Sequence, residues 1–91
     1  MKLHDHLIEI LKEFKKTPSD HVMVSPSGGG RVLVVVVSSM FKDLPDEERQ
    51  DRVWRRLIDH LDDEEQARVE FVFTRTPEEA RDIRDAVHNE R

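Results

Sequence analysis

Arg49, Arg52, Arg55 and Arg56 place four cations within two helical turns, the densest cluster of chemistry-bearing side chains in the chain. Arg49, Arg52 and Arg56 would share one helix face opposite Trp54 and Ile58, because residues three and four apart are neighbours on a helix surface. Such a stripe can grip a nucleic-acid backbone or an acidic partner through charge-assisted hydrogen bonds. It can equally be a solvated face laced with ion pairs, since Glu48–Arg52 and Arg55–Asp59 are correctly spaced for them. The net charge of −5 opposes a polyanion and favours the second. Five histidines raise the question of metal. His4 and His6 point to different sides of a helix and cannot chelate together. His60 precedes Asp62, Asp63, Glu64 and Glu65, an oxygen-rich run that lacks the ordered spacing of a cation loop and fits a solvated turn. His21 and His88 stand alone. Neither a metal nor a cofactor is expected. Ser38-Ser39 lies outside any Gly-x-Ser-x-Gly elbow and has no histidine at a readable spacing. The chain has no cysteine, which excludes a thiolate zinc site, a disulfide framework and a cysteine nucleophile. The remaining acids fall mostly in first turns of helices, where capping and the helix dipole account for them. The expectation is a protein that is not an enzyme.

The elements that must carry these residues are legible from periodicity. Ninety-one residues make one domain, and 38% charged against 36% hydrophobic residues imply a thin core. Leu3, Leu7, Ile10, Leu11 and Phe14 predict a helix over about 2 to 16, stopped by Thr17-Pro18-Ser19-Asp20. His21 to Ser25 predicts a short strand, and Pro26-Ser27-Gly28-Gly29-Gly30 a hairpin loop whose glycines tolerate positive φ. Arg31 to Val37 is a β-branched run with the character of a central strand. After a connection over 38 to 44, a helix is expected from about Pro45, at the first helical position, to Leu61. Its buried face would hold Val53, Trp54, Leu57, Ile58 and Leu61. Asp62 to Gln66 is expected to be a charged connector and Val69 to Thr74 a third strand. Thr76-Pro77-Glu78-Glu79 has the pattern of a helix start, and that last helix should run to about Asn89, burying Ala80, Ile83 and Val87. The predicted fold is an α+β domain in the order α-β-β-α-β-α, with a three-stranded mixed sheet packed by helices. Val69, Phe71 and Phe73 would face the core and Val72 the second face, beside Met23 and alternate members of the valine run. A face that apolar needs covering, by a helix of this chain or by a partner, a second copy included. No apolar run nears the roughly 18 residues of a membrane span. No signal-peptide core follows Met1, and a cytoplasmic protein is expected.

One segment resembles a known family. Ser38-Ser39-Met40-Phe41, Arg49 eight positions on, then Val53, Leu57 and Thr74-Arg75-Thr76-Pro77-Glu78-Glu79 are similar to the motifs of BolA proteins. That family shows Ser-x-x-Phe after its second strand, an Arg-His-Arg-x-Val-aromatic-x-x-Leu helix, and Thr-x-Thr-Pro-x-Glu before its last helix. The resemblance covers residues 21 to 80 and implies the order αββααβα. It also implies a role in iron–sulfur trafficking, through a [2Fe–2S] cluster shared with a monothiol glutaredoxin, or in transcriptional regulation. The departures bear on that function. Arg68 stands near the position where the resemblance implies a ligand histidine, and the loop over 25 to 30 holds neither the histidine nor the cysteine implied there. Gln50 and Asp51 replace the helix motif's histidine and second arginine. A guanidinium has no lone pair to offer iron, so ligation in the family manner is not expected. The expectation is a binding or regulatory protein acting through protein–protein contacts. Its surface would include Phe41, Arg49, Arg52, Arg56 and Arg68. A monothiol glutaredoxin-like partner or self-association would supply the contact. The alternative is nucleic-acid binding through the arginine stripe, because the family fold is close to the type II KH arrangement. No Gly-x-x-Gly clamp lies between helices to support that mode.

Overall fold

The computed structural model describes residues 2–81. Helix α1 (Lys2–Leu11) buries Leu3, Leu7, Ile10 and Leu11 and tightens into a 3-10 turn, Lys12–Phe14, that delivers Phe14 to the core. It stops short of the expected residue 16 because Asp20 takes the next donors. The Lys16 and Thr17 N–H groups donate to Asp20 Oδ2 at 2.8 and 2.9 Å instead of continuing the helix.

Strand β1 (His21–Gly28) and strand β2 (Arg31–Val37) form an antiparallel hairpin. Gly29 and Gly30 turn it at φ of 63° and 76°, which side chains with a Cβ resist. β1 runs past Ser25, and Pro26 pairs opposite Val32 on the outer strand, where its missing N–H faces no partner strand. A 3-10 turn, Ser39–Phe41, leads to helix α2 (Asp46–His60). Pro45 has extended angles, φ −66° and ψ 156°, so it caps this helix rather than occupying its first position.

The expected connector after α2 is a helix, α3 (Asp63–Arg68). It has no buried residue and hence no apolar stripe to betray it. A reciprocal capping box starts it: the Asp62 carboxylate accepts from the Glu65 N–H at 2.8 Å, and Glu65 accepts from the Asp62 N–H at 3.1 Å. Strand β3 (Val69–Arg75) then pairs parallel to β2, giving sheet order β1-β2-β3, and residues 77–81 are helical. The domain is α+β with a three-stranded mixed sheet, in the order α-β-β-α-α-β-α.

The sheet's core face packs Val24, Val32, Val34 and Val36 against α1 and α2. β3 corrects the expected alternation. Val69 is buried, but Phe71 and Phe73 are 54% and 41% exposed, while Val72 and Thr74 face the core. Val32 pairs with Val69 and Leu33 with Phe71, so Glu70 is an extra residue, and that irregularity reverses every side chain after it. α2 corrects a second expectation: Val53 and Leu57 are buried, Trp54 is half-buried and Ile58 is exposed. The line 53-57-61 faces the core and 54-58 lies a third of a turn away. On the sheet's second face, Pro77 and Ala80 border one shallow pocket with His21 and Val37 at one end, while Met23, Phe71 and Phe73 stay exposed among the described residues. The expected burial of Ile83 and Val87 lies outside the described residues. No described helix is long and apolar enough to cross a membrane.

Candidate functional site

The residues carrying the resemblance gather at the end of β2 and hold the scaffold together. Ser38 is fully buried; its Oγ donates to the Phe14 carbonyl at 2.6 Å and accepts from the Met40 N–H at 3.1 Å. Its own N–H donates to the Arg75 carbonyl of β3 at 2.9 Å. That hydroxyl proton is committed to the Phe14 carbonyl. Phe41 is also fully buried, its ring 5.6 Å from that of Phe14, so it belongs to the core and offers no contact surface. Beside them, buried Asp20 accepts from the Ser39 N–H and hydroxyl at 2.9 and 3.0 Å, besides Lys16 and Thr17. Burial pushes its carboxyl upward, but the three backbone donors and the hydroxyl outweigh this and hold it below the usual aspartate range.

Arg49 fastens α2 to the start of the last helix. Its side chain is only 11% exposed and forms a two-pronged pair with Glu79 at 2.6 and 3.2 Å. Its Nε donates to the Leu44 carbonyl at 2.8 Å, and the guanidinium sits 6.0 Å from the Phe41 ring. Glu79 completes a capping box with Thr76, and the Arg49 hydrogen bond followed by the Thr76 N–H lowers its carboxyl pKa. Arg49→Ala should therefore cost about 2 kcal/mol of stability, and Arg49→Lys less, because a lysine keeps the charge but not the fork. Urea midpoints at neutral pH check this; an unchanged midpoint in the alanine variant would make the pair idle.

The rest of the arginine stripe is neutralised pair by pair. Arg52 lies 3.8 Å from Glu48, Arg55 bonds Asp51 at 2.8 Å rather than the expected Asp59, and Arg56 pairs with Glu13. Arg56 also donates from Nε to the Ile10 carbonyl at 2.9 Å, tying α2 to α1. Arg52, Arg55 and Arg56 do border one shallow groove of about 230 Å³ with Glu13, Met40 and Asp59. A phosphate chain entering it would have to displace carboxylates already in place.

Arg68 lies elsewhere, at the end of α3 just before β3. β2 separates it from Phe41 by about 20 Å, so the five expected surface residues do not form one patch. Arg68 Nε donates to the Gly30 carbonyl at 2.8 Å. Two more contacts pin the same hairpin turn to β3: Ser27 donates to Glu70 at 2.7 Å and Arg31 lies 3.5 Å from it. The two positions that the resemblance implies as ligands are thus neighbours, bridged by a guanidinium. Sequence reasoning missed the bridge because it joins two turns 38 residues apart. It also missed His6 bonding Glu65 at 3.1 Å, which links α1 to α3. Among the described residues no three histidine or carboxylate side chains gather as metal ligands. Compared with known proteins, the chain matches no family model and no curated protein.

Proposed function

We propose that this chain is a non-enzymatic BolA-like binding or regulatory protein, acting through protein–protein contacts on a monothiol glutaredoxin-like partner without ligating a cluster itself. The observation that carries it is the Arg68–Gly30 bridge, which closes the gap between the two implied ligand positions with a group that cannot coordinate iron. Further support comes from Ser38, Phe41, Arg49, Thr76 and Glu79, the residues of the resemblance, which are joined in space through one another and their neighbours. The element order αββααβα is the one that the resemblance implies.

Isotope-labelled protein titrated with a monothiol glutaredoxin, first without and then with its cluster, tests the proposal. Amide shifts are expected at Gly30 and Arg68 in both titrations. Absence of shifts in both removes the partner. Binding that requires the cluster, with the cluster's spectrum changed by this chain, overturns the statement that the chain does not ligate it.

A further inference from the structure

The hairpin ends with His21 of β1 paired to Val37 of β2, at the far end of the sheet from the Gly30–Arg68 bridge. Ser19, His21, Val37, Pro77, Ala80 and Arg81 line a pocket of about 310 Å³ there. The fold brings them from three stretches: the turn before β1, the end of β2 and the start of the last helix. Val37 is buried, and Pro77 and Ala80 are half-buried beside it. The polar side chains of Ser19, His21 and Arg81 are exposed.

Unused donors set this pocket apart. Every other described arginine is held, by a carboxylate at Arg31, Arg49, Arg52, Arg55 and Arg56 and by a main-chain carbonyl at Arg68 and Arg75. Arg81 has no such partner among the described residues, and neither the His21 ring nor the Ser19 hydroxyl has one. Among the described residues no carboxylate borders the pocket. Asp20 and Glu78 are the nearest acids in sequence. Asp20 is buried and receives the N–H groups of Lys16, Thr17 and Ser39, while Glu78 is exposed and does not line the pocket. In a chain of net charge −5, a pocket lined by two basic residues and no acid favours an anion.

The donor set narrows the ligand. A guanidinium offers a planar fork, an imidazole an N–H and a serine an O–H. A phosphate monoester has three terminal oxygens to meet them, where a carboxylate has two. Val37, Pro77 and Ala80 give the carbon part an apolar wall. A volume of about 310 Å³ is at the small end for ligand pockets, so that carbon part is short.

We propose that this pocket binds a small phosphate monoester. The Arg81 fork takes two phosphate oxygens, the His21 ring N–H and the Ser19 hydroxyl donate to the phosphate, and the carbon part lies against Val37, Pro77 and Ala80. The site is open, so its dissociation constant is on the order of 1 mM. This inference goes beyond the proposed function and does not depend on it, because the pocket shares no residue with the Gly30–Arg68 bridge.

The isotope-labelled full chain, titrated with phenyl phosphate, inorganic phosphate and acetate at matched ionic strength, tests it through amide shifts. Saturable shifts are expected at Ser19, His21, Val37, Ala80 and Arg81, with phenyl phosphate about threefold tighter than inorganic phosphate. Acetate should bind at least about tenfold more weakly than phenyl phosphate. Arg81→Ala should weaken phenyl phosphate by about tenfold or more, and His21→Ala by about threefold. Lys12→Ala removes the same charge from an exposed pair with Glu9 and should change the affinity by less than about twofold. The substituted residues are exposed, and circular dichroism checks that the variants keep the fold. Absence of saturable shifts at these amides overturns the site. So does an Arg81→Ala variant that binds as the parent does, or an equal loss in Lys12→Ala, which would reduce the effect to net charge. Acetate binding as tightly as phenyl phosphate would overturn the assignment to phosphate.

Discussion

Phe41→Ala should lower the unfolding free energy by about 3–5 kcal/mol, while Phe41→Leu, closer in volume, should cost roughly 1–2. The ring is fully buried, stacks at a tilt on Phe14 and lies under the Arg49 guanidinium, so its removal leaves a cavity that three elements border. A domain of this size has about 5–14 kcal/mol of stability in all, so the alanine variant would lose a large fraction of it. Urea denaturation followed by circular dichroism measures the midpoint, with the slope reporting whether unfolding stays two-state. A residue serving as an exposed contact would change stability by under about 0.5 kcal/mol, and a shift that small would return Phe41 to the surface. The consequence for binding studies is direct. Lost partner affinity in Phe41→Ala would report a loosened scaffold, so variants at Gly30 or Arg68 are the informative ones.

How much of this was readable beforehand depends on the range of the signal. The stripe Leu3-Leu7-Ile10-Leu11-Phe14 and the run Val32–Val37 placed α1 and β2 within a few residues, because a helix period or a β-branched run is written locally. The class and the parallel β2–β3 pairing followed, since parallel neighbours need a crossover of the length that α2 supplies. Period two fails where one residue is inserted, and Glu70 turned Phe71 and Phe73 outward against a pattern that pointed them inward. α3 lacks an apolar stripe, yet Asp62-Asp63-Glu64-Glu65 contains the spacing of a capping box, a sign that was available and overlooked. Glu48–Arg52 was readable as an i,i+4 pair, whereas Arg49–Glu79 and Arg68–Gly30 join residues 30 and 38 apart. Such pairs exist only once the sheet has formed. The candidate site is built almost wholly from them, which is why residue types suggested a single surface and the geometry divides it between two ends of the sheet.

Asp20→Asn should cost about 2–3 kcal/mol at pH 7, and that difference should vanish in acid. The carboxylate receives three backbone N–H groups and one hydroxyl from two separate segments, pinning the turn after α1 to the 3-10 turn after β2. An asparagine keeps one acceptor oxygen but turns an N–H₂ towards donors, so part of the set loses its partner. The sign of the pH dependence follows from the folded state favouring the ionised form. The Asp20 pKa is lowered on folding, so its contribution is complete above the unfolded value of about 3.9 and is lost as pH falls through the folded value. Glu79 and Glu65 are lowered as well, by Arg49 and Thr76 in one case and by the Asp62 N–H and His6 in the other, so the parent protein loses stability in acid for several reasons at once. Comparison with the asparagine variant isolates one of them, because those carboxylates are present in both chains. Urea titrations at pH 7, 4, 3 and 2 should therefore show the two stabilities converging as Asp20 takes up its proton. A gap that stayed constant down to pH 2 would mean that the asparagine disturbs packing rather than charge, and the knot would owe its strength to shape.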